Sequence, residues 1–167
     1  MGCLYCVWHN TAVATEPIHP VLSFTPNALW GMDFLSPFPW TPCGHTYIFH
    51  LINYFSSFTV GYPMKDAGTS TAISGLSYTF QHLPIPVEIY CDPGPHFTSL
   101  LMAHYLELKG VKLSFHASGL SQVTGKIENV GCWVQSVIQK HINSVTDWDL
   151  ELPQAYENVN NQVISHL

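Results

Sequence analysis

The sequence contains no arginine. Its formal cations are five lysines, and the net charge is −6 when the histidines are neutral. Proteins that bind nucleic acid usually present a basic surface, because neutralisation of phosphates dominates their affinity for nucleic acid. The composition therefore argues against a strong electrostatic hold on DNA or RNA at neutral pH. The ten histidines add positive charge only below about pH 6.5.

Long hydrophobic runs are also missing. No stretch approaches the roughly 18 consecutive apolar residues that span a bilayer, and residues 1–6 lack the regions of a signal peptide. We therefore expect no membrane association and a location in the nucleus or cytoplasm. Five cysteines, an odd number, argue against a disulfide framework. Cys43, Cys91 and Cys132 are predicted to be small apolar residues, buried or half-buried.

The chain has enough apolar residues for one domain with its own core. Its length is 167 residues, of which 47% are hydrophobic, and a chain of that size buries a sizeable core. Periodicity and turn residues predict strands over 29–35, 47–52, 58–62, 87–91 and 111–115, and helices over 69–80, 98–108, 124–142 and 147–160. Residues 116–124 are predicted to form a mobile loop. This order, β-β-β-α-β-α-β-α-α, predicts an α/β fold with a mixed sheet and helices on its faces.

Three acids stand out in a chain with only 10% charged residues. Asp33 lies in an apolar strand, Asp92 follows one, and Glu128 opens a helical pattern, with the 35 residues 93–127 between the last two. Taken singly, each has an ordinary interpretation as a surface, turn or helix-start acid. Taken together they favour a metal site, because carboxylates are hard ligands for divalent cations and paired cations promote phosphoryl transfer.

The segments around these acids resemble the catalytic core of retroviral and LTR-retrotransposon integrases, most of all the gammaretroviral type. They are Trp-Gly-Met-Asp-Phe at 30–34, Asp-Pro-Gly-Pro-His-Phe-Thr-Ser at 92–99, Gln-Val-Thr-Gly-Lys-Ile-Glu at 122–128 and Asp-Trp-Asp-Leu-Glu-Leu-Pro at 147–153. That family carries an Asp, Asp, Glu triad with the same spacing of the last two acids. The resemblance covers residues 20–160, approximately, and implies an RNase H-like fold with a five-stranded mixed sheet flanked by helices.

The resemblance also implies a domain division. Residues 20–167 are interpreted as the catalytic core, and residues 1–19 as the remnant of an N-terminal zinc-binding domain with its linker. Cys3 and Cys6 form half of a zinc site, since structural zinc takes four ligands. His9 and His19 do not stand at the positions where the family has its histidines. We therefore expect no zinc site in this N-terminal segment.

The implied function is DNA integration. The resemblance assigns Asp33, Asp92 and Glu128 as catalytic residues that bind two Mg²⁺ or Mn²⁺ ions, for 3′-end processing of DNA and strand transfer into target DNA. It also implies a homo-oligomer. The residues expected to contact DNA are Gln122, Lys126, Asn129 and Gln135.

The residues beside the triad leave alternatives open. Asn129 stands where the family commonly has arginine, and the positions that share a helix face with Glu128 (Cys132, Gln135 and Gln139) carry no cation. One alternative is therefore a catalytically weak or inactive endogenous or domesticated domain that acts as a protein-interaction module. Another is a nuclease of the RNase H type, which the 35-residue spacing favours less.

Overall fold

A computed structural model of the chain describes residues 25–35, 38–115, 121–141 and 147–164, without the side chains of residues 121–126, 141, 163 and 164. The N-terminal segment with Cys3 and Cys6 lies outside these residues, so its interpretation as a zinc-domain remnant stays a prediction. So does the boundary at residue 20. Within the described part of the chain, no helix is long and apolar enough to cross a bilayer.

One five-stranded mixed sheet carries helices on both faces, as predicted. Its order is β3-β2-β1-β4-β5; β1 pairs antiparallel with β2 and parallel with β4. The strands are β1 (Leu29–Leu35), β2 (Tyr47–Asn53), β3 (Thr59–Met64), β4 (Glu88–Cys91) and β5 (Lys112–Phe115). The described helices are α1 (Thr69–His82), α2 (Leu100–Leu108), α3 (Ser121–His141) and α4 (Trp148–Ile164). The predicted order of elements is confirmed.

The alternation of side chains along β1 divides the core into two layers. Trp30 and Met32 belong to the layer beneath α1 and α2, whereas Leu29 and Leu35 belong to the layer beneath α3 and α4. By the same alternation, Gly31 and Asp33 face α3 and α4. The layer under α3 contains five apolar residues that recur on one side of that helix: Ile127, Val130, Val134, Val137 and Ile138.

Most element boundaries follow from local chemistry that the sequence displays. Ser99 begins α2, since its hydroxyl accepts a hydrogen bond from the backbone N–H of Met102 at 3.3 Å. Gly110 ends the same helix with a φ of 70°, a conformation that glycine adopts without strain. In the hairpin between β2 and β3, Asn53 Oδ1 accepts from the N–H groups of Phe55 and Ser56 and so forms the turn.

Two expectations were wrong. Helix α3 begins at Ser121 rather than at residue 124 or 125, because Gly125 is tolerated inside a helix at a cost of about 1 kcal/mol. Residues 116–120 of the predicted loop lie outside the described part of the chain. Cys43 and Cys132 are exposed, and only Cys91 is buried among these three. Cys43 lies in a surface turn, and Cys132 lies on the outer side of α3.

A buried polar network fixes α4 against the edge of the sheet. His50 Nδ1 lies 2.8 Å from the Tyr156 hydroxyl, and Gly61 leaves the space that the Tyr156 ring occupies. The Asn160 amide binds both the N–H and the carbonyl of Thr59, at 2.8 and 2.9 Å. Burial lowers the pKa of His50 to about 3, so the imidazole is neutral at physiological pH and carries no charge into the core.

Candidate active site

Strand pairing brings the first two acids together. Gly31 on β1 pairs with Tyr90 on the parallel strand β4. Two residues further along the same register, Asp33 comes beside Asp92, which directly follows β4. Neighbouring strands lie about 4.8 Å apart, so both carboxylates lie together at the carboxyl-terminal ends of adjacent strands. The strands β1 and β4 are neighbours in the sheet, which is what allows the two acids to meet.

Aromatic packing holds the segment after Asp92 to the strand that carries Asp33. The Phe34 ring stacks on Phe97 with centroids 5.7 Å apart and an interplanar angle of 9°. It also meets the His96 ring edge-on at 5.3 Å. Phe97 is fully buried, and the Thr69 hydroxyl donates to the His96 carbonyl at 2.9 Å. The turn after β4 is therefore anchored at several points.

Helix α3 presents Glu128 next to this pair because it packs directly over β1. A Cβ atom at Gly31 would lie 3.0 Å from Ile127 Cδ1, and one at Gly131 would lie 2.7 Å from Leu35 Cδ2. Asp33 is on the same face of β1, between Gly31 and Leu35. Glu128 directly follows Ile127 and precedes Gly131 by less than one helical turn, and its side chain is exposed.

The acids affect one another electrostatically. Burial raises the pKa of Asp33, and the negative charges of Asp92 and Glu128 raise it further, to about 6. The N–H of Phe34 donates to Asp33 Oδ1 at 2.7 Å and opposes that shift. The cluster thus carries more negative charge than its own hydrogen bonds compensate, and a bound cation would relieve the excess.

The three carboxylates are spread more widely than the ligands of a single closed metal site. Their oxygen atoms do not all lie within 4.8 Å of one another. Among the described residues, one other cluster has its ligand atoms that close together. The three acids are therefore close enough to affect one another electrostatically, but their oxygens are not gathered around one point.

Several neighbours of the acids were not singled out from the sequence. His96 Nε2 lies 3.9 Å from Asp92 Oδ1; the spacing of four residues was the available signal. Burial, followed by the charges of Asp92 and Asp33, raises the pKa of the Cys91 thiol. Burial and then Asp33 likewise raise the pKa of Tyr54. Both groups are therefore neutral at physiological pH and add no charge beside the acids.

The residues expected to contact DNA are placed in part. Asn129 is exposed beside Glu128, and Gln135 is half-buried on α3. Gln122 and Lys126 belong to the first turns of α3, but their side chains lie outside the described part of the structure. Lys112 binds Glu88 at 2.9 Å. The exposed lysines of the described residues are Lys65, Lys109, Lys112 and Lys140.

The acids do not line the groove that runs along the edge of the sheet. That groove of about 630 Å³ lies between β3, α1 and α4 and is bordered by Gly61, Tyr78 and Tyr156. Asp92 and Glu128 are instead exposed near the carboxyl-terminal ends of β1 and β4, the central strand and its neighbour in the sheet. The candidate site is open to solvent, as a site for a macromolecular substrate must be.

Comparison with known proteins places the chain among integrases. The family model described as "Integrase core domain" matches residues 25–121. The Gag-Pol polyprotein of avian reticuloendotheliosis virus is 26% identical over 160 residues, which cover 92% of this chain and 14% of that protein. The Gypsy retrotransposon integrase-like protein 1 of Bos taurus is 24% identical over 154 residues, which cover 91% of this chain and 31% of that protein. The chain spans less than a third of each.

Solved structures share the fold. The magnesium-bound integrase catalytic core domain of HTLV-2, in its trimeric form, aligns with a TM-score of 0.59 and 19% identity, over 84% of each chain. An integrase chain from the simian T-cell lymphotropic virus intasome, solved with the PP2A regulatory subunit B56 gamma, aligns with a TM-score of 0.69 and 20% identity, over 95% of this chain and 56% of that one. These likenesses confirm the predicted RNase H-like fold.

The raised pKa of Asp33 predicts how the metal-free protein responds to pH. The folded state holds the Asp33 proton up to about pH 6, whereas the unfolded chain releases it near the ordinary aspartate pKa of 3.8. Stability from this group is therefore present at low pH and lost as pH rises from 4 to 6, a loss on the order of 2–3 kcal/mol. Asp33→Asn should abolish that loss.

The measurement is the free energy of unfolding in denaturant, with a chelator present, across pH 4 to 8. Asp33→Asn should gain stability relative to the wild type as pH rises, and Glu107→Gln, which removes an exposed acid on α2, should not. A stability difference between Asp33→Asn and wild type that is the same at pH 4 and pH 8 would contradict the crowding of the three acids.

Proposed function

This chain belongs to the integrase core domain family, and we propose that it is the catalytic core of a polynucleotidyl transferase. The reactions are trimming of DNA 3′ ends and joining of those ends to target DNA. The proposal rests on the positions of Asp33, Asp92 and Glu128. They come from β1, the end of β4 and α3, and they meet at the solvent-exposed carboxyl-terminal ends of β1 and β4.

The three carboxylates form a ligand set that fits Mg²⁺ or Mn²⁺. Three carboxylates offer only hard oxygen ligands, and burial of Asp33 beside two other negative charges raises its pKa to about 6. Bound there, a pair of divalent ions would activate the attacking oxygen and stabilise the leaving oxygen of a phosphoryl transfer. Asp33, Asp92 and Glu128 would together hold these ions.

The rest of the site orients these ligands. The N–H of Phe34 holds one Asp33 oxygen, and the stack of Phe34 on Phe97 keeps the Asp92 turn in place. In the proposed reaction an oxygen of water or of a DNA 3′ end attacks phosphorus, and the opposite oxygen leaves with the bonding electron pair. No protein side chain becomes covalently attached to the DNA.

The surface around Glu128 offers little positive charge for binding DNA. Around Glu128 the exposed residues Asn129 and Cys132 are uncharged, and Lys126 is the nearest cation in sequence. We propose that additional cations come from further copies of the chain or from other parts of a longer protein. This agrees with the relatives, of which this chain matches only a fraction, and with the solved dimeric and trimeric forms of the HTLV-2 core.

A second candidate function is supported by the same uncharged surface. A domain that retains the fold and the acids but has lost its basic residues would serve as a protein-interaction module without catalysis. Metal binding and catalysis distinguish the two candidates, because an interaction module has no need of either.

We expect the protein to cut and rejoin a branched DNA oligonucleotide in the presence of Mn²⁺ or Mg²⁺. The measurement is the yield of rejoined strand on a denaturing gel, together with the shift in melting temperature on addition of Mn²⁺. Asp92→Asn should lower the yield by at least a hundredfold and reduce the thermal shift, since it removes one ligand of the site.

Glu107→Gln serves as the control, because it removes an exposed acid on α2 and leaves the triad intact. It should keep both activity and thermal shift. Absence of product together with absence of a Mn²⁺-dependent shift would contradict the proposal and favour the interaction module. Product that survives Asp92→Asn would point to a contaminating nuclease.

The uncharged neighbour of Glu128 predicts the effect of an added cation. Asn129→Arg should tighten binding of duplex DNA and steepen the dependence of log affinity on log salt by about 0.9, the value for one additional phosphate contact. Fluorescence anisotropy over a salt series measures both. Gln81→Arg adds the same charge at an exposed position of α1, on the other face of the sheet. Equal effects of the two substitutions would show that α3 does not track DNA.

A further inference from the structure

A second cluster of metal-binding side chains lies outside the acid triad, and we propose that it binds one divalent ion of the zinc class. Cys43, His45 and Asp149 each offer one ligand atom, and these atoms all lie within 4.8 Å of one another. Thiolate, imidazole and carboxylate are the three ligand types that zinc takes in proteins. The cluster shares no residue with the triad, so the proposal does not depend on the proposed function.

A tight turn in the connection between β1 and β2 positions two of the ligands. The Gly44 N–H donates to the Thr41 carbonyl at 2.8 Å, and Gly44 has a φ of 82°, which suits glycine. The His45 N–H donates to the Thr41 hydroxyl at 3.1 Å. Cys43 therefore lies at the exposed tip of the turn, two residues from the half-buried His45.

The third ligand comes from the first turn of α4, 104 residues away from His45 in the chain. That turn is anchored on the same connection, because Trp148 Nε1 donates to the Pro39 carbonyl at 2.7 Å and its ring packs on Phe38 at 4.9 Å. The Asp149 side chain is only 4% exposed, and its Oδ2 lies 2.7 Å from His45 Nδ1. The position of this ligand is thus set by packing rather than by the pair itself.

Supporting hydrogen bonds orient the carboxylate. Burial by itself raises the pKa of Asp149, but hydrogen bonds from His45 and from the Thr41 hydroxyl outweigh it and hold the pKa below its usual range. These bonds hold the carboxylate in one orientation, with Oδ2 facing His45. Thr41 contacts both His45 and Asp149 and acts as an outer partner of the kind that commonly orients metal ligands.

Charge and ligand softness select the ion. A thiolate and a carboxylate together neutralise a divalent cation, while the neutral imidazole adds a third ligand. Binding releases the Cys43 proton and any proton shared between His45 and Asp149. Zinc bonds of about 2.0–2.3 Å require the contact between His45 and Asp149 to open slightly. The thiolate disfavours Mg²⁺, which prefers oxygen ligands. A fourth position remains for water.

The test uses Co²⁺ as a spectroscopic probe, because cobalt bound to a thiolate acquires an intense near-ultraviolet absorption that carboxylate sites do not produce. The protein should carry Cys3→Ser and Cys6→Ser, which removes the other candidate thiol pair. One equivalent of Co²⁺ should give the absorption, and one equivalent of Zn²⁺ should displace it. Zn²⁺ should also raise the melting temperature.

Cys43→Ser should abolish the absorption and lower the Zn²⁺-dependent rise in melting temperature; the carboxylates of the triad can account for the part that remains. Cys132→Ser is the matched control, since it removes the other exposed thiol, and it should retain both. Circular dichroism of the metal-free Cys43→Ser protein checks that the fold is intact. An absorption that persists in Cys43→Ser, or that never forms in the Cys3→Ser and Cys6→Ser protein, would overturn the proposal.

Discussion

The close approach of α3 to β1 is the contact on which the arrangement of the acids depends. Gly31 leaves the space that Ile127 occupies, and Gly131 does the same for Leu35. Asp33 lies between these two contacts on the strand, and Glu128 lies between them on the helix. A side chain at either glycine would require its partner side chain to shift. The two glycines thus contribute to the close packing of the helix that carries Glu128 against the strand that carries Asp33.

At Asp33, the arrangement that suits metal binding lowers the stability of the metal-free fold. Asp33 is partly buried and faces two further negative charges, which raises its pKa to about 6; without a cation the ionised cluster destabilises the fold. The same crowding is what gives a carboxylate site its affinity for divalent metal. At the other end of the sheet, burial keeps His50 neutral, and Tyr156 and Thr59 contact its two ring nitrogens.

Periodicity and turn residues were sufficient for the order of the elements. Apolar residues recur at regular intervals in β1 and on the buried face of α3, and in the folded chain these residues belong to the core. Contacts between segments distant in the chain were not accessible in this way. The cluster of Cys43, His45 and Asp149 exists only because Trp148 anchors α4 on the turn after β1, and Cys43 is exposed because that turn lies at the surface. The start of α3 was missed because Gly125 suggested a boundary where the helix continues.

The central claim is that Asp33, Asp92 and Glu128 form one divalent-metal site on this chain. Anomalous diffraction from crystals grown with Mn²⁺ tests it most directly, because the signal locates the ion independently of the surrounding side chains. The account predicts an anomalous peak about 2.0–2.3 Å from oxygens of Asp33 and Asp92, with Glu128 on that ion or on a second ion about 3.5–4 Å away. Mn²⁺ located elsewhere, with the three carboxylates turned away from one another, would contradict it.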